Sequence, residues 1–232
     1  MSHKACNCEK KHVKKSHNEN HKEHHKGDLE RQFKERFNHQ FPHKFEIHDE
    51  DDHHENNNGA QNNKVHTNEL KLEQARLWED HFWKTRIVVQ AAASSNACLA
   101  ADIKTLYANQ DELGTNFGQL TRNVNAGKEL AKELREHIRI AIEIVVAALA
   151  KKPTDALYKQ WQKNATAIAE VYHKYNRNIR FETVNKLMQE HLKTTLAEAV
   201  AIIGGNCEDS VKKGDVALHH VREMADYINS KF

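Results

Sequence analysis

Three windows constrain the fold more than anything else in the chain: WEDHFWKTRIVVQAA from Trp78, REHIRIAIEIVVAAL from Arg135 and QEHLKTTLAEAVAII from Gln189. Each sets an acidic residue close ahead of a histidine and then continues as an aliphatic helix. Each is followed by a second helical stretch with a polar residue among apolar ones: LYANQDELG with Asn109, WQKNATAIA with Asn164 and LHHVREMAD with His220. The two polar residues are separated by 28, 27 and 29 residues in the three copies. Self-similarity at this period is the mark of a tandem supersecondary unit, here a helical hairpin repeated three times.

The histidines fall where a helix should be buried. His81 shares a face with Leu77, Thr85 and Val88; His137 with Leu134, Ala141 and Val145; His191 with Leu187, Thr195, Glu198 and Ile202. In the second helices Asn109 lies between Leu106 and Leu113, Asn164 between Trp161 and Ile168, and His220 between Ala217 and Met224. An antiparallel hairpin brings the two polar residues of a repeat to similar height. A buried imidazole is therefore expected to find an amide partner, which avoids the roughly 1–3 kcal/mol cost of an unpaired buried polar group.

The helices are expected near 68–94, 99–113, 127–151, 155–174, 182–203 and 208–230, with no competing strand pattern. Gly114 and Gly118, Pro153 with Thr154, and Gly204 with Gly205 read as punctuation. Runs such as AAASS and VVAALA call for close helix contacts, since small side chains let axes approach. The fold class is all-α: three helical-hairpin repeats, six helices, closing into a bundle or stacking as a short solenoid.

Upstream of residue 67 the material changes. Twelve of the 18 histidines fall in the first 66 residues. Residues 1–27 hold almost nothing that could be buried and read as a disordered leader. Residues 28–42 carry Leu29, Phe33, Phe37 and Phe41 at four-residue spacing, with Asp28 as a cap and Pro42 as a stop, and read as an amphipathic docking helix. Residues 43–66 read as a polar linker, and 67–232 as the repeat domain. His3, Cys6, Cys8, His12, His17, His21, His24 and His25, then His53 and His54 beside four acidic residues, supply nitrogen and sulfur donors suited to weak, multiple binding of Zn²⁺, Ni²⁺ or Cu²⁺.

The passage from about residue 77 to 228 resembles a family of uncharacterised bacterial helical proteins. The likeness rests on LWEDH followed by TR, then NQ-x-x-x-G, EHI, NA-x-x-IA and EHL-x-x-T-x-A-E in that order. Members often carry transferred enzyme names, glycosyltransferase among them, which an all-helical pattern without a nucleotide-sugar-binding element does not support. The family brings no catalytic assignment, and this chain departs from its pattern around Trp83 and Lys84 and at His219–His220.

Function classes narrow accordingly. With 35 basic against 33 acidic side chains, no strong field draws the chain onto nucleic acid. No stretch has the length of a transmembrane helix, and the N-terminus lacks a secretory core, so a cytoplasmic protein is expected, within a larger assembly such as a coat. Glu79, Glu136 and Glu190 have no nucleophile motif or matched carboxylate behind them, and Glu136 and Glu190 directly precede their histidines instead of forming the E-x-x-H pairs of di-iron bundles. Cys98 and Cys207 read as buried thiols or loop residues. The expectation is a non-enzymatic binding or structural protein that docks a protein partner or a second copy. The alternative is a bundle enzyme or cofactor binder with a buried site drawn from His81, Asn109, His137, Asn164, His191, Glu198 and His220.

Overall fold

The computed structural model describes the chain from Gly59 to Phe232, with side chains from Lys64 onward. Six helices account for it: α1 Gly59–Ser94, α2 Leu99–Leu120, α3 Val124–Leu149, α4 Asp155–Tyr175, α5 Phe181–Ile203 and α6 Cys207–Asn229. None of these helices is long and apolar enough to cross a membrane. The N-terminal readings, residues 1–58 with their metal donors and the 28–42 stripe, lie outside the described residues.

Two expected boundaries move, each for a physical reason. α1 begins at Gly59, ahead of residue 68, because no proline or glycine between Ala60 and Thr67 breaks the helix, and Lys64, Val65 and His66 are exposed. α2 runs through Gly114 and Gly118 to Leu120. These glycines are contact points, not stops: a Cβ on Gly114 would lie 2.6 Å from both the Ala131 Cβ and the Gly127 carbonyl oxygen of α3. Asn123 then caps α3, its Oδ1 accepting from the backbone N–H of Asn125 at 3.0 Å and of Ala126 at 3.3 Å.

Four of the five helix connections use one device. Ser95, Arg122, Lys151 and Gly205 take φ of 56°, 53°, 55° and 72°. The following residue's N–H reaches back five positions, from Asn96 to Ala91, Asn123 to Gly118, Lys152 to Ala147 and Asn206 to Ala201, at 2.8–3.0 Å. This is the Schellman stop, and three of its four left-handed positions are held by residues other than glycine. Glycine is thus a poor guide to where these helices end.

Each helix packs on its neighbour in sequence, and α6 returns to α1, so the hairpins close into a bundle instead of stacking as an open solenoid. α1, α3 and α5, the first helices of the three repeats, also touch across the middle. Layers follow from the repeat. Three residues ahead of each histidine stand Trp78, Leu134 and Met188, all in the main core with Leu113, Phe117, Ile168 and Tyr172. Eight residues after each stand Val89, Val145 and Ala199, which form a second, smaller apolar layer with Ala92. The histidines lie between the two.

Candidate functional site: a three-histidine layer

His81, His137 and His191 meet at the bundle centre, 2%, 2% and 3% exposed. The ring of His191 stands between the others, its centroid 5.6 Å from that of His81 and 5.8 Å from that of His137. Trp78 packs edge-on to His81 at 5.5 Å and Trp161 lies over His137 at 4.9 Å. The equal heights implied by the repeat are realised.

What repeats most faithfully is a bond to backbone. Asn109 Nδ2 donates to the Leu77 carbonyl at 3.0 Å, Asn164 Nδ2 to that of Glu133 at 3.0 Å, and His220 Nε2 to that of Leu187 at 2.8 Å. Every acceptor lies four residues ahead of the repeat's histidine. A helical carbonyl has a spare lone pair, and each second helix is pinned to its first by filling it. The imidazoles themselves are served differently. His137 Nδ1 meets Asn164 Oδ1 at 2.8 Å, as expected from the sequence. His81 Nδ1 meets Gln110, the neighbour of Asn109, at 3.2 Å, and His191 Nδ1 meets Thr195 of its own helix at 3.4 Å. His220 therefore stands apart from the central three.

Burial decides the charge state. It pushes His81 down to about 3, helped by the nearby His137 and opposed by the Asn109 side chain. It pushes His137 down to about 4 against the Asn164 bond. His191 is held well below its usual value by burial and then by His81 and His137. All three rings are neutral at neutral pH.

Glu198 is not turned toward the histidines. It occupies the register of Val88 and Ile144 in the other repeats, and all three are 4% exposed. Arg86 of α1 binds it through Nη1, and the same nitrogen donates to the Ser210 carbonyl at 3.2 Å. Gly214 makes room, since a Cβ there would lie 2.5 Å from Arg86 Nη1. The other carboxylates considered from sequence are tied at the surface: Glu79 to Arg222 at 2.7 Å, Glu136 to Arg139 at 2.6 Å and Glu190 to Lys193 at 2.8 Å. Cys98 and Cys207 are exposed, the first capping α2 and the second opening α6. Among the described residues no group of three or more His, Cys, Asp or Glu side chains has the arrangement of a metal site.

Gln110 belongs to this polar layer and Arg86 to the pair with Glu198, and neither stands out in sequence. The TR of LWEDH…TR and the NQ of NQ-x-x-x-G are visible, yet Arg86 finds Glu198 in another repeat and Gln110, besides its neighbour Asn109, reaches His81 of the preceding motif. Comparison with protein-family models, with curated proteins and with solved structures finds no match to this chain.

Proposed function

We propose that the chain is a non-enzymatic binding protein. The bundle is its scaffold, and divalent Zn²⁺, Ni²⁺ or Cu²⁺ is taken by the N-terminal donors His3, Cys6, Cys8, His12, His17, His21, His24, His25, His53 and His54. Docking to a protein partner or a second copy runs through Leu29, Phe33, Phe37 and Phe41, within a larger assembly. One observation carries this reading. Seven of the bundle's own candidate groups are tied to other parts of it, Glu79, Glu136, Glu190 and Glu198 in ion pairs with arginine or lysine, Asn109, Asn164 and His220 on backbone carbonyls, and among the described residues no three His, Cys, Asp or Glu side chains are arranged to hold an ion. Donors suited to an ion are then left concentrated in the N-terminal residues.

Calorimetric titration of the full chain with Zn²⁺ tests it. Replacing Cys6, Cys8, His17, His21, His24 and His25 by serine or alanine is expected to weaken uptake at least tenfold. Unchanged uptake would transfer the site elsewhere and overturn the reading. Since a ligating imidazole must be neutral, uptake by the unsubstituted chain should fall as pH drops through about 6.5.

A further inference from the structure

The three repeats agree on their inner faces and part on one outer face. Counted from the histidines, Leu72, Trp83 and Ile87 of α1 stand where α3 carries Lys128, Arg139 and Glu143 and α5 carries Glu182, Lys193 and Ala197. The α1 residues are nonetheless exposed, Leu72 by 74%, Trp83 by 48% and Ile87 by 47%, and Val65 joins them at 52%. With 3.6 residues per turn the four fall within an arc of about 60°, a single stripe along the solvent side of the helix. The Trp83 ring is steadied by Phe82, which meets it edge-on with centroids 4.9 Å apart. The other exposed large apolar residues among those described, Val124, Val200, Val211 and Val216, are scattered over α3, α5 and α6. An apolar stripe where the sister helices are mostly charged marks an interaction surface.

The charges along the stripe select what covers it. Arg76 lies between Leu72 and Trp83, with Glu79 at the stripe's edge. Arg76 donates through Nε to Glu73 at 2.8 Å and through Nη1 to Asp80 at 2.6 Å, while Glu79 Oε1 accepts from Arg222 Nε at 2.7 Å. Both remain partly exposed, and five guanidinium N–H groups and two carboxylate oxygens leave capacity for a further partner. When a second α1 is laid antiparallel with Leu72 opposite Trp83, the same two-fold axis sets Arg76 opposite Glu79 and brings Val65 within a turn of Ile87, each contact occurring twice. A parallel pairing in register would instead set Arg76 on Arg76 and Glu79 on Glu79. An antiparallel shift that brings Leu72 to Ile87 would set Glu79 against Asp80. Apolar and charged patterns thus agree on one antiparallel register.

We propose that this face of α1 is a docking surface for a second copy of the chain, the two helices crossing a two-fold axis at the level of Leu77 and Trp78. From Val65 to Gln90 the stripe is about 38 Å long and about 10 Å wide, or roughly 400 Å² per copy. That is about half of the ~800 Å² per partner buried in a stable complex, so the dimer is weak and reversible, with a Kd above about 1 µM. The inference is independent of the N-terminal metal donors and of Leu29, Phe33, Phe37 and Phe41.

Sedimentation velocity of the full chain, with a chelator present and from micromolar to millimolar concentration, tests it. The unsubstituted chain is expected to pass from monomer to dimer, and Leu72→Glu or Trp83→Glu should weaken the dimer by at least about tenfold, the effect of losing an apolar anchor. The register has its own test. Arg76→Glu alone and Glu79→Arg alone each oppose like charges across the axis and should associate less than the unsubstituted chain. Their equimolar mixture should recover association, because each variant then meets its opposite charge at both contacts. A mixture no better than its components would overturn the antiparallel pairing. Leu72, the most exposed of the stripe, decides if a Trp83 or Glu79 variant folds poorly. A chain that stays monomeric throughout would overturn the proposal, and so would a dimer indifferent to Leu72→Glu. Loss of that indifferent dimer when Phe33 and Phe37 become serine would move self-association to the N-terminal stripe and leave the proposed function standing.

Discussion

Gln74 shows how one residue departs from the repeat. Seven positions ahead of the three histidines stand Gln74, Leu130 and Val184, each 0% exposed, and neither amide atom of Gln74 has a hydrogen-bond partner. Removing an unpaired buried amide recovers roughly 1–3 kcal/mol, so Gln74→Leu should raise the unfolding free energy measured in urea by that amount and the midpoint with it; an unchanged or lower midpoint would show that the amide is partnered in solution. The histidines make the opposite test, through pH. His81 and His137 titrate in the fold at about 3 and about 4, against 6.5 when unfolded, so the unfolded chain binds protons first as pH falls. Their contribution to stability is complete above pH 6.5 and is lost on descending through the folded values, about 1.4 kcal/mol per pH unit for each ring. Urea midpoints measured from pH 7 to 4.5 should drop accordingly, and His137→Gln should make the drop shallower. These positions were legible because a polar residue on an apolar stripe breaks a period that sequence displays. Gln74 was not, since one glutamine per helix breaks no pattern until the repeats are superposed in register.

Among the helices, small residues set how closely axes approach. The α2–α3 contact is built on Gly114 facing Gly127, where a Cβ on Gly127 would lie 2.6 Å from the Gly114 carbonyl oxygen. Backbone cannot swing aside as a long side chain can. Gly127→Ala should therefore cost about 1–3 kcal/mol in spite of alanine's better helix propensity, and a stabilised variant would refute the close contact. In the sequence Gly114 and Gly118 read as a helix end because glycine serves both purposes, and only the partner helix tells them apart. The buried Arg86–Glu198 pair joins α1 to α5 under the same constraint. Arg86→Met leaves the carboxylate uncompensated and should cost about 3–5 kcal/mol, while the further change Glu198→Leu, which restores the aliphatic register of Val88 and Ile144, should recover most of it. A double variant no better than the single one would mean that the pair is held for more than its own charge balance.

Across the whole molecule the decisive contact is the return of α6 to α1, which sequence left open because three hairpins with identical faces can equally stack or close. Closure is fixed by residues far apart in the chain: Asn229 Nδ2 donates to the Lys71 carbonyl at 2.9 Å, and Arg222 Nε to Glu79 Oε1 at 2.7 Å. Neither pair shares a motif, so neither was readable beforehand. The two architectures respond differently to damage. In an open array each unit contacts only its neighbours, so a lesion at one end leaves the other end's stability nearly intact. In the closed bundle α1, α3 and α5 share one core, and a lesion at the seam is felt by all three. Asn229→Ala orphans a polar contact at that seam and should lower global stability by about 1 kcal/mol. Hydrogen exchange followed by mass spectrometry should then show the slowest amides of α3, which Asn229 does not touch, exchanging about fivefold faster, together with those of α1 and α6. Faster exchange confined to α1 and α6 would mean that the hairpins open one at a time and that the shared centre is not cooperative.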